Sequence, residues 1–232
     1  MSKVLFITGA SSGIGLETAR HARAAGYELA LAARRTELLA EIAAELGADH
    51  VLPLTVDVTE ETSLAAGVAA TLERFGRIDA VFANAGIGGA PGGYREAPPQ
   101  AWKDLLMVNV YGLALTVQAT AKALAESRGH LVITSSMAGR RSLAGSMYSA
   151  TKWAANCIGH GYRKEIAGTG VRVTLIEPGM TDTPFFDERK QGFLEAEDVA
   201  RAVLFALDQP ERAEIHEISL VPTNMTGDNL VP

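Results

Sequence analysis

Tyr148 and Lys152 stand at the two ends of the pentapeptide YSATK, a phenol and an ammonium in a stretch with few helix breakers. On a helix that spacing puts both on one face, about a turn apart. A phenol with a reference pKa of ~10 is a poor proton donor or acceptor at neutral pH. An ammonium beside it stabilises the phenolate and is expected to lower that pKa by roughly one to three units. The phenol then moves toward the range in which general acid–base catalysis is efficient. Taken alone, the pair reads more readily as two neighbours on a helical surface.

A second group of residues has the chemistry of a phosphate cradle. The first apolar run leads into TGASSGIGL, with glycines at 9, 13 and 15. Glycine permits a tight turn and lets backbone N–H groups approach an anion, while the helix that follows points its positive end there. Gly9, Ser11, Ser12, Gly13, Ile14 and Gly15 are therefore candidates for binding a dinucleotide. The spacing differs from the general dinucleotide fingerprint, and a loop of this kind also serves as a plain tight connection.

The end of the second apolar run bears on which dinucleotide. A carboxylate there would bind the adenosine ribose 2′-OH and repel a 2′-phosphate. The stretch LALAARRTE has no acid before Glu37 and carries Arg34 and Arg35 instead. Guanidinium groups suit a phosphate dianion, so the expected cofactor is NADP(H). The alternative is two solvated arginines opening a helix.

These groups need a scaffold, and the chain supplies one. KVLFIT, ELALAA, HVLPLTV, IDAVFA, HLVITS, VRVTLIE and EIHEISLV read as strands. Most are apolar on both faces, as in a parallel sheet covered by helices on each side. Helical segments alternate with them. Thr36 is expected to cap ELLAEIAAEL, which Gly47 ends; Thr59 is expected to cap the next helix, which Gly76 ends. The predicted fold is α/β: a Rossmann-like, doubly wound parallel sheet of about seven strands with helices on both faces. No linker or repeat interrupts it, so residues 1–232 are expected to form a single domain.

Composition narrows the function. Hydrophobic residues make up 47% of the 232, enough for a core. A formal charge of −6 argues against a nucleic-acid or anionic-membrane surface, but leaves room for a local basic pocket. Cys157 is the lone cysteine, which rules out a disulfide within the chain and fits a reducing, cytoplasmic setting. The strand-like start, MSKVLFITGA, is not built as a signal peptide. The histidines lack ligand spacing, and no metal site is expected. Leu105 to Ala121 carries no charge, but Asn109, Tyr111, Gly112, Thr116, Gln118 and Thr120 make it a poor membrane span. A buried or subunit-interface helix is expected there.

In order and rough spacing, TGASSGIG, NAG at 84–86, Asn109, SSMAG at 135–139, YSATK and PGMTDT at 178–183 resemble the short-chain dehydrogenase/reductase family. The resemblance covers essentially the whole chain and is to the compact branch that reduces carbonyls or oxidises alcohols. It implies that Tyr148 protonates a carbonyl oxygen as hydride arrives, or takes the alcohol proton in reverse, with Lys152 beside it. It also implies a serine on the substrate oxygen. The SxxG pattern, with Gly139, selects Ser136, whereas the usual distance back from the tyrosine selects Ser135. Ser136 is preferred because a shortened loop leaves the strand end in place.

The resemblance makes Asn109 the fourth catalytic residue, holding a water that links the lysine to a proton relay. A buried amide bonded to a neighbouring helix is the alternative. Around the cofactor it implies Asp57 and Val58 near the adenine, with helix capping the alternative for Asp57. Asn84, Ala85 and Gly86 would lie near the ribose, together with Tyr148 and Lys152. Pro178, Gly179, Thr181 and Thr183 would lie near the carboxamide. The expected activity is NADP(H)-dependent hydride transfer to or from a small carbonyl or alcohol. The alternatives are a catalytically silent dinucleotide sensor and an NAD-preferring hydroxy-acid dehydrogenase.

PFFDERKQGFLE (184–195) reads as a short substrate lid, with Phe185, Phe186 and Phe193 available for an apolar wall. Arg140 and Arg141 follow the serine closely, and one of them is a candidate for a substrate carboxylate, against the plainer reading of a solvated loop charge. The resemblance also implies a homo-oligomer, dimer or tetramer, through the helices that carry Asn109 and Tyr148.

Overall fold

Alternate residues of the central strands enter different apolar layers, and that alternation builds the protein. The computed structural model describes residues 2–185 and 192–223. Its main sheet uses β1 (Val4–Thr8), β2 (Glu28–Ala33), β3 (Val51–Thr55), β4 (Ala80–Ala83), β5 (His130–Thr134) and β6 (Arg172–Pro178). Two short strands, β7 (Thr181–Asp182) and β8 (Leu194–Glu195), pair with each other, and β9 (Glu217–Leu220) completes the main sheet. The seven strands run parallel in the order β3-β2-β1-β4-β5-β6-β9.

Leu5, Ile7, Leu29, Leu31, Phe82 and Val132 pack on one face. There they meet α1 (Gly13–Ala24), α2 (Thr36–Leu46) and α8 (Ala196–Leu207). Phe6, Val81, Leu131, Ile133 and Leu175 pack on the other, against α3 (Glu61–Phe75), α6 (Gly112–Ser127) and α7 (Met147–Glu165). Burying each such side chain contributes about 1.5–3 kcal/mol against the entropy of ordering it. Pro53 falls in β3, an edge strand, where a missing N–H is tolerated.

Two predicted caps are not formed. Thr36 is the first residue of α2, and its hydroxyl bonds that of Thr55 at 2.7 Å. Glu60 holds the N-cap position of α3, because Thr59 donates through both N–H and hydroxyl to Asp57 Oδ1. In each case a nearby oxygen outcompetes the helix end for the hydroxyl. Gly47 and Gly76 do follow the last helical residues of α2 and α3.

The loop after β4 contains a short turn of helix, α4 (Gly93–Glu96), and leads into α5 (Pro99–Leu106). A wider π-helical turn over Met107–Tyr111 joins α5 to α6, with the Gly112 N–H bonded to the Met107 carbonyl. The uncharged stretch therefore crosses three pieces of one long helix. Leu105, Leu113 and Val117 are buried, while Leu106 and Tyr111 face outward. Among the described residues, no helix is long and apolar enough to cross a membrane.

Candidate active site

The strand order reverses between β1 and β4, so the loops at their carboxyl ends diverge and leave a crevice there. A cavity of about 620 Å³ occupies it. It is lined from the carboxyl ends of six strands: Gly9 and Ser11 to Ile14 after β1, Arg34 and Arg35 after β2, Asp57 and Val58 after β3, Asn84 to Gly86 after β4, Ser135 and Ser136 after β5, and Gly179 to Thr181 with Thr183 after β6.

At one end α1 points its N-terminus into the cavity with no acid in its first turn. Gly9 and Gly13 have φ of +67° and +55°, a backbone region that L side chains rarely adopt. Gly15 does not line the cavity. A Cβ there would lie 2.3 Å from the Gly9 carbonyl oxygen, so its role is to let α1 pack onto the loop. Arg35 reaches back to the same loop, donating to Ser11 Oγ at 2.8 Å and to Ser12 Oγ at 2.7 Å. Arg34 lies nearby and acts on Asp57. Burial pushes the Asp57 carboxyl up, but two hydrogen bonds from Thr59 and the Arg34 charge outweigh it, and the net shift is downward.

Asn84 fastens the crevice. Its Nδ2 donates to the Thr8 and Gly9 carbonyls at 3.2 and 3.3 Å, and its Oδ1 accepts from Thr134 at 3.0 Å. One side chain thus ties together the ends of β1, β4 and β5.

The other end holds Ser136, Tyr148 and Lys152, all lining the cavity. Ser136 Oγ accepts from the Ala138 N–H at 3.0 Å, donates to the Pro178 carbonyl at 3.4 Å, and acts on the Tyr148 phenol, favouring its ionised form. Ser135 is turned away and buried, donating to Asn156 Oδ1. The adjacent serines thus differ in surroundings: Ser136 meets the phenol, and Ser135 is part of the packing of α7. Gly139 permits that packing, because a Cβ there would sit 2.8 Å from the Lys152 carbonyl oxygen.

The expected lowering of the Tyr148 pKa does not occur. Burial pushes the phenol up to about 12, and the hydrogen bond from Ser136 offsets only part of that. Burial also brings Lys152 down to about 8. Burial thus disfavours the charged form of both groups. The Lys152 Nζ donates to the Thr134 carbonyl at 2.9 Å.

Asn109 is buried in the π-helical turn and does not line the cavity. Its Oδ1 accepts from the Ile87 N–H at 2.8 Å, and its Nδ2 donates to the Ile87 carbonyl at 3.0 Å and to Thr151 Oγ1 at 3.1 Å. The side chain therefore clamps the loop after β4 to α7.

Arg140 is not positioned for a substrate. It donates to the fully buried Glu177 at 2.7 Å, pairs with Glu217 and lies outside the cavity lining. Glu177 also accepts from Asn156 at 3.1 Å and Ser219 at 2.7 Å, which anchors the serine turn to β6 and β9. Only Arg141 of the two arginines lines the cavity. Pro178, Gly179, Thr181 and Thr183 line it too, and Thr183 Cβ lies 3.3 Å from a Cβ built on Gly13. Phe185 joins the wall, Phe193 does not, and Phe186 lies outside the described residues. Ile87, Leu143, Met180 and Val221 also line the cavity. Sequence reasoning misses them because an isolated apolar loop residue carries no periodic signal.

The sequence pattern of the short chain dehydrogenase family matches residues 3–192. A protein of Staphylococcus saprophyticus described as an uncharacterized oxidoreductase is 35% identical over 228 residues, covering 95% of this chain and 97% of the relative. The alcohol dehydrogenase of the archaeon Thermococcus sibiricus, complexed with 5-hydroxy-NADP, is similar in structure with a TM-score of 0.92 at 31% identity. That match covers 98% of this chain and 100% of the other. The 3-ketoacyl-(acyl-carrier-protein) reductase of Brucella melitensis, complexed with NADH, gives a TM-score of 0.87 at 26% identity over 94% of this chain and 96% of the other. Sheet order, cavity and sequence agree: the chain belongs to the short-chain dehydrogenase/reductase family of oxidoreductases.

Proposed function

We propose that this protein is an NADP(H)-dependent oxidoreductase that reduces a small carbonyl compound to the alcohol. The observation that carries the reading is a neutral phenol, Tyr148, sharing one end of a cavity with Ser136, while the other end is a glycine loop clasped by Arg35.

The lining fits a dinucleotide. Among the described lining residues, Arg34, Arg35, Arg141 and Lys152 face the cavity with Asp57 as the one carboxylate, although the chain as a whole is acidic. A helix N-terminus without a competing acid suits a diphosphate. The related structures include complexes with an NADP derivative and with NADH. Preference for NADP(H) in this chain is therefore argued from Arg34 and Arg35, which would hold the 2′-phosphate with Ser11. Asp57 and Val58 would flank the adenine, the Asn84–Gly86 turn the ribose, and Pro178, Gly179, Thr181 and Thr183 the carboxamide.

When bound, the dinucleotide supplies the hydride. Ser136 Oγ holds the substrate oxygen, and Tyr148 Oη delivers a proton to it as negative charge develops. A phenol held protonated at neutral pH suits that direction. Lys152, behind Tyr148, passes a proton back to it. Asn109 keeps the neighbouring loop in place; its side-chain bonds are already committed, so any part in the relay falls to its backbone within the π-helical turn.

Outward-facing Leu106, Tyr111 and Trp153 support self-association through α5 and α7, within a single-domain cytoplasmic homo-oligomer. The activity is tested by following oxidation of NADPH and of NADH with a panel of aldehydes, ketones, quinones and oxo acids. Faster turnover with NADPH on at least one class supports the reading. Turnover with NADH alone contradicts the cofactor assignment, and no turnover with either contradicts the activity.

A further inference from the structure

Among the described residues, Glu177 is the one fully buried carboxylate, and it stands in β6 just before the Pro178–Gly179 turn of the cavity wall. Donors from three other elements converge on it. Its Oε1 accepts from Arg140 Nε at 2.7 Å, in the turn that follows Ser136, and from Asn156 Nδ2 at 3.1 Å, on α7. Its Oε2 accepts from Ser219 Oγ at 2.7 Å, on β9. Withdrawing a carboxylate from water is costly, and a buried ion pair often adds nothing to stability over apolar packing. Holding the fold together is therefore a poor account of this group.

Its donors supply a better one. Tyr148, Lys152 and Asn156 recur every four residues along α7 and so share one stripe of that helix. Asn156 also grips the serine turn directly: its Oδ1 accepts from Ser135 Oγ, and its Nδ2 donates to the Gly139 carbonyl at 3.2 Å. The serine turn and the Tyr148 stripe thus meet on one carboxylate, through Arg140 and Asn156. Arg140 is held on its other side by Glu217 of β9, whose Oε1 lies 3.0 Å from His160 Nε2. Neither Glu177 nor Asn156 lines the cavity, so neither meets a substrate bound there.

We propose that Glu177 is a positioning residue for the chemical step: by holding Arg140 and Asn156 together, it fixes Ser136 against Tyr148. The proposal rests on the carbonyl-reduction reading above. In that reading Ser136 and Tyr148 reach the same substrate oxygen, yet they belong to separate elements, the turn after β5 and the first turn of α7. A displacement of about 1 Å between such groups costs on the order of a hundredfold in rate. With both donors on one carboxylate, the serine turn cannot slide along α7 without breaking a hydrogen bond to a buried charge. The loops after β1, β2 and β3, which line the dinucleotide end, make no hydrogen bond to Glu177. The role therefore predicts a loss in kcat with cofactor affinity kept.

The test measures kcat, KM and the primary deuterium isotope effect for Glu177→Gln, using the best carbonyl and NADPH deuterated at the transferred position, beside Kd for NADPH. The expected result is a fall in kcat per folded molecule of about tenfold or more. The isotope effect on kcat should be as large as in wild type or larger, because the chemical step has become the slow one, and Kd for NADPH should stay within about twofold. Arg140→Lys keeps the cation but loses the Nε donor; it should show the same pattern in milder form, and it decides the matter if Glu177→Gln does not fold. A purely structural role would lower the folded fraction and leave kcat per folded molecule at the wild-type value. That result, or an equal loss of NADPH affinity, overturns the positioning role while carbonyl reduction stands. If wild type oxidises NADPH with no carbonyl, both are overturned.

Discussion

The Lys152 ammonium lies 5.6 Å from the centroid of the Tyr148 ring, and its hydrogen bond goes to the Thr134 carbonyl at 2.9 Å. The two side chains share a helix face, yet the cation does not bond the phenol oxygen. With the phenol held up at about 12 and the ammonium down at about 8, the pair in the free protein is a neutral acid beside a titrating base. The expected outcome is that tyrosinate absorbance lost in Tyr148→Phe is confined to pH well above the ordinary phenol value of ~10. A difference spectrum titrating below that value without cofactor would show that Lys152 alone acidifies the phenol.

Arg35 donates to both serines of the glycine loop and, on the reading proposed above, would hold the 2′-phosphate. Hydrogen bonds to charged groups contribute about 1.5–3 kcal/mol, or roughly ten- to a hundredfold in affinity. Arg35→Ala should raise the Kd for NADPH by that factor and leave the Kd for NADH nearly unchanged, as measured by nicotinamide fluorescence. Equal losses for both cofactors would mean that Arg35 acts only by shaping the loop.

The two serines should separate in their effects. Ser136→Ala should lower kcat with little change in thermal midpoint. Ser135→Ala leaves the Asn156 oxygen buried without that donor and should cost about 1–3 kcal/mol of stability while turnover per folded molecule persists. Calorimetry beside kinetics checks both, and the reverse pattern would make Ser135 the catalytic hydroxyl.

His130 is buried in β5 with Nε2 2.8 Å from Thr174 Oγ1, and burial, helped by Arg172 and Lys3, brings its pKa down to about 3. The unfolded chain takes up a proton near the ordinary value of ~6.5, the folded chain only near 3. Between those limits the unfolded state binds more protons, so stability rises with pH. His130 therefore costs nothing above pH ~6.5, and its contribution falls by about 1.4 kcal/mol per pH unit as pH drops toward 3. His130→Gln should be less steep than wild type over that window in urea unfolding. Parallel curves would show that the folded state tolerates the charge.

The strands of the main sheet were legible because both faces of a parallel sheet are buried, and runs such as VLFIT and ELALAA signal that directly. The β7–β8 pair was not, since two residues carry no period. Nor was the π-helical turn at Asn109, which shifts the helix register without changing composition. The cap at Thr36 failed on competition from Thr55, a partner that only the fold brings near, and the cap at Thr59 on competition from Asp57, two residues before it. Most of the candidate site could be read because its glycines, arginines and hydroxyls stand at strand ends. The Tyr148 pKa could not, because burial of the pair is a tertiary property that outweighs their spacing.

The central claim is that the Tyr148 phenol delivers the proton to a substrate held beside bound NADPH. The most direct measurement is Tyr148→Phe, assayed for NADPH oxidation with the best carbonyl and, separately, for NADPH binding. Turnover should fall about a hundred- to ten-thousandfold with cofactor affinity largely retained. Turnover within a few-fold of wild type would contradict the account and leave the protein a dinucleotide binder whose chemistry, if any, lies elsewhere.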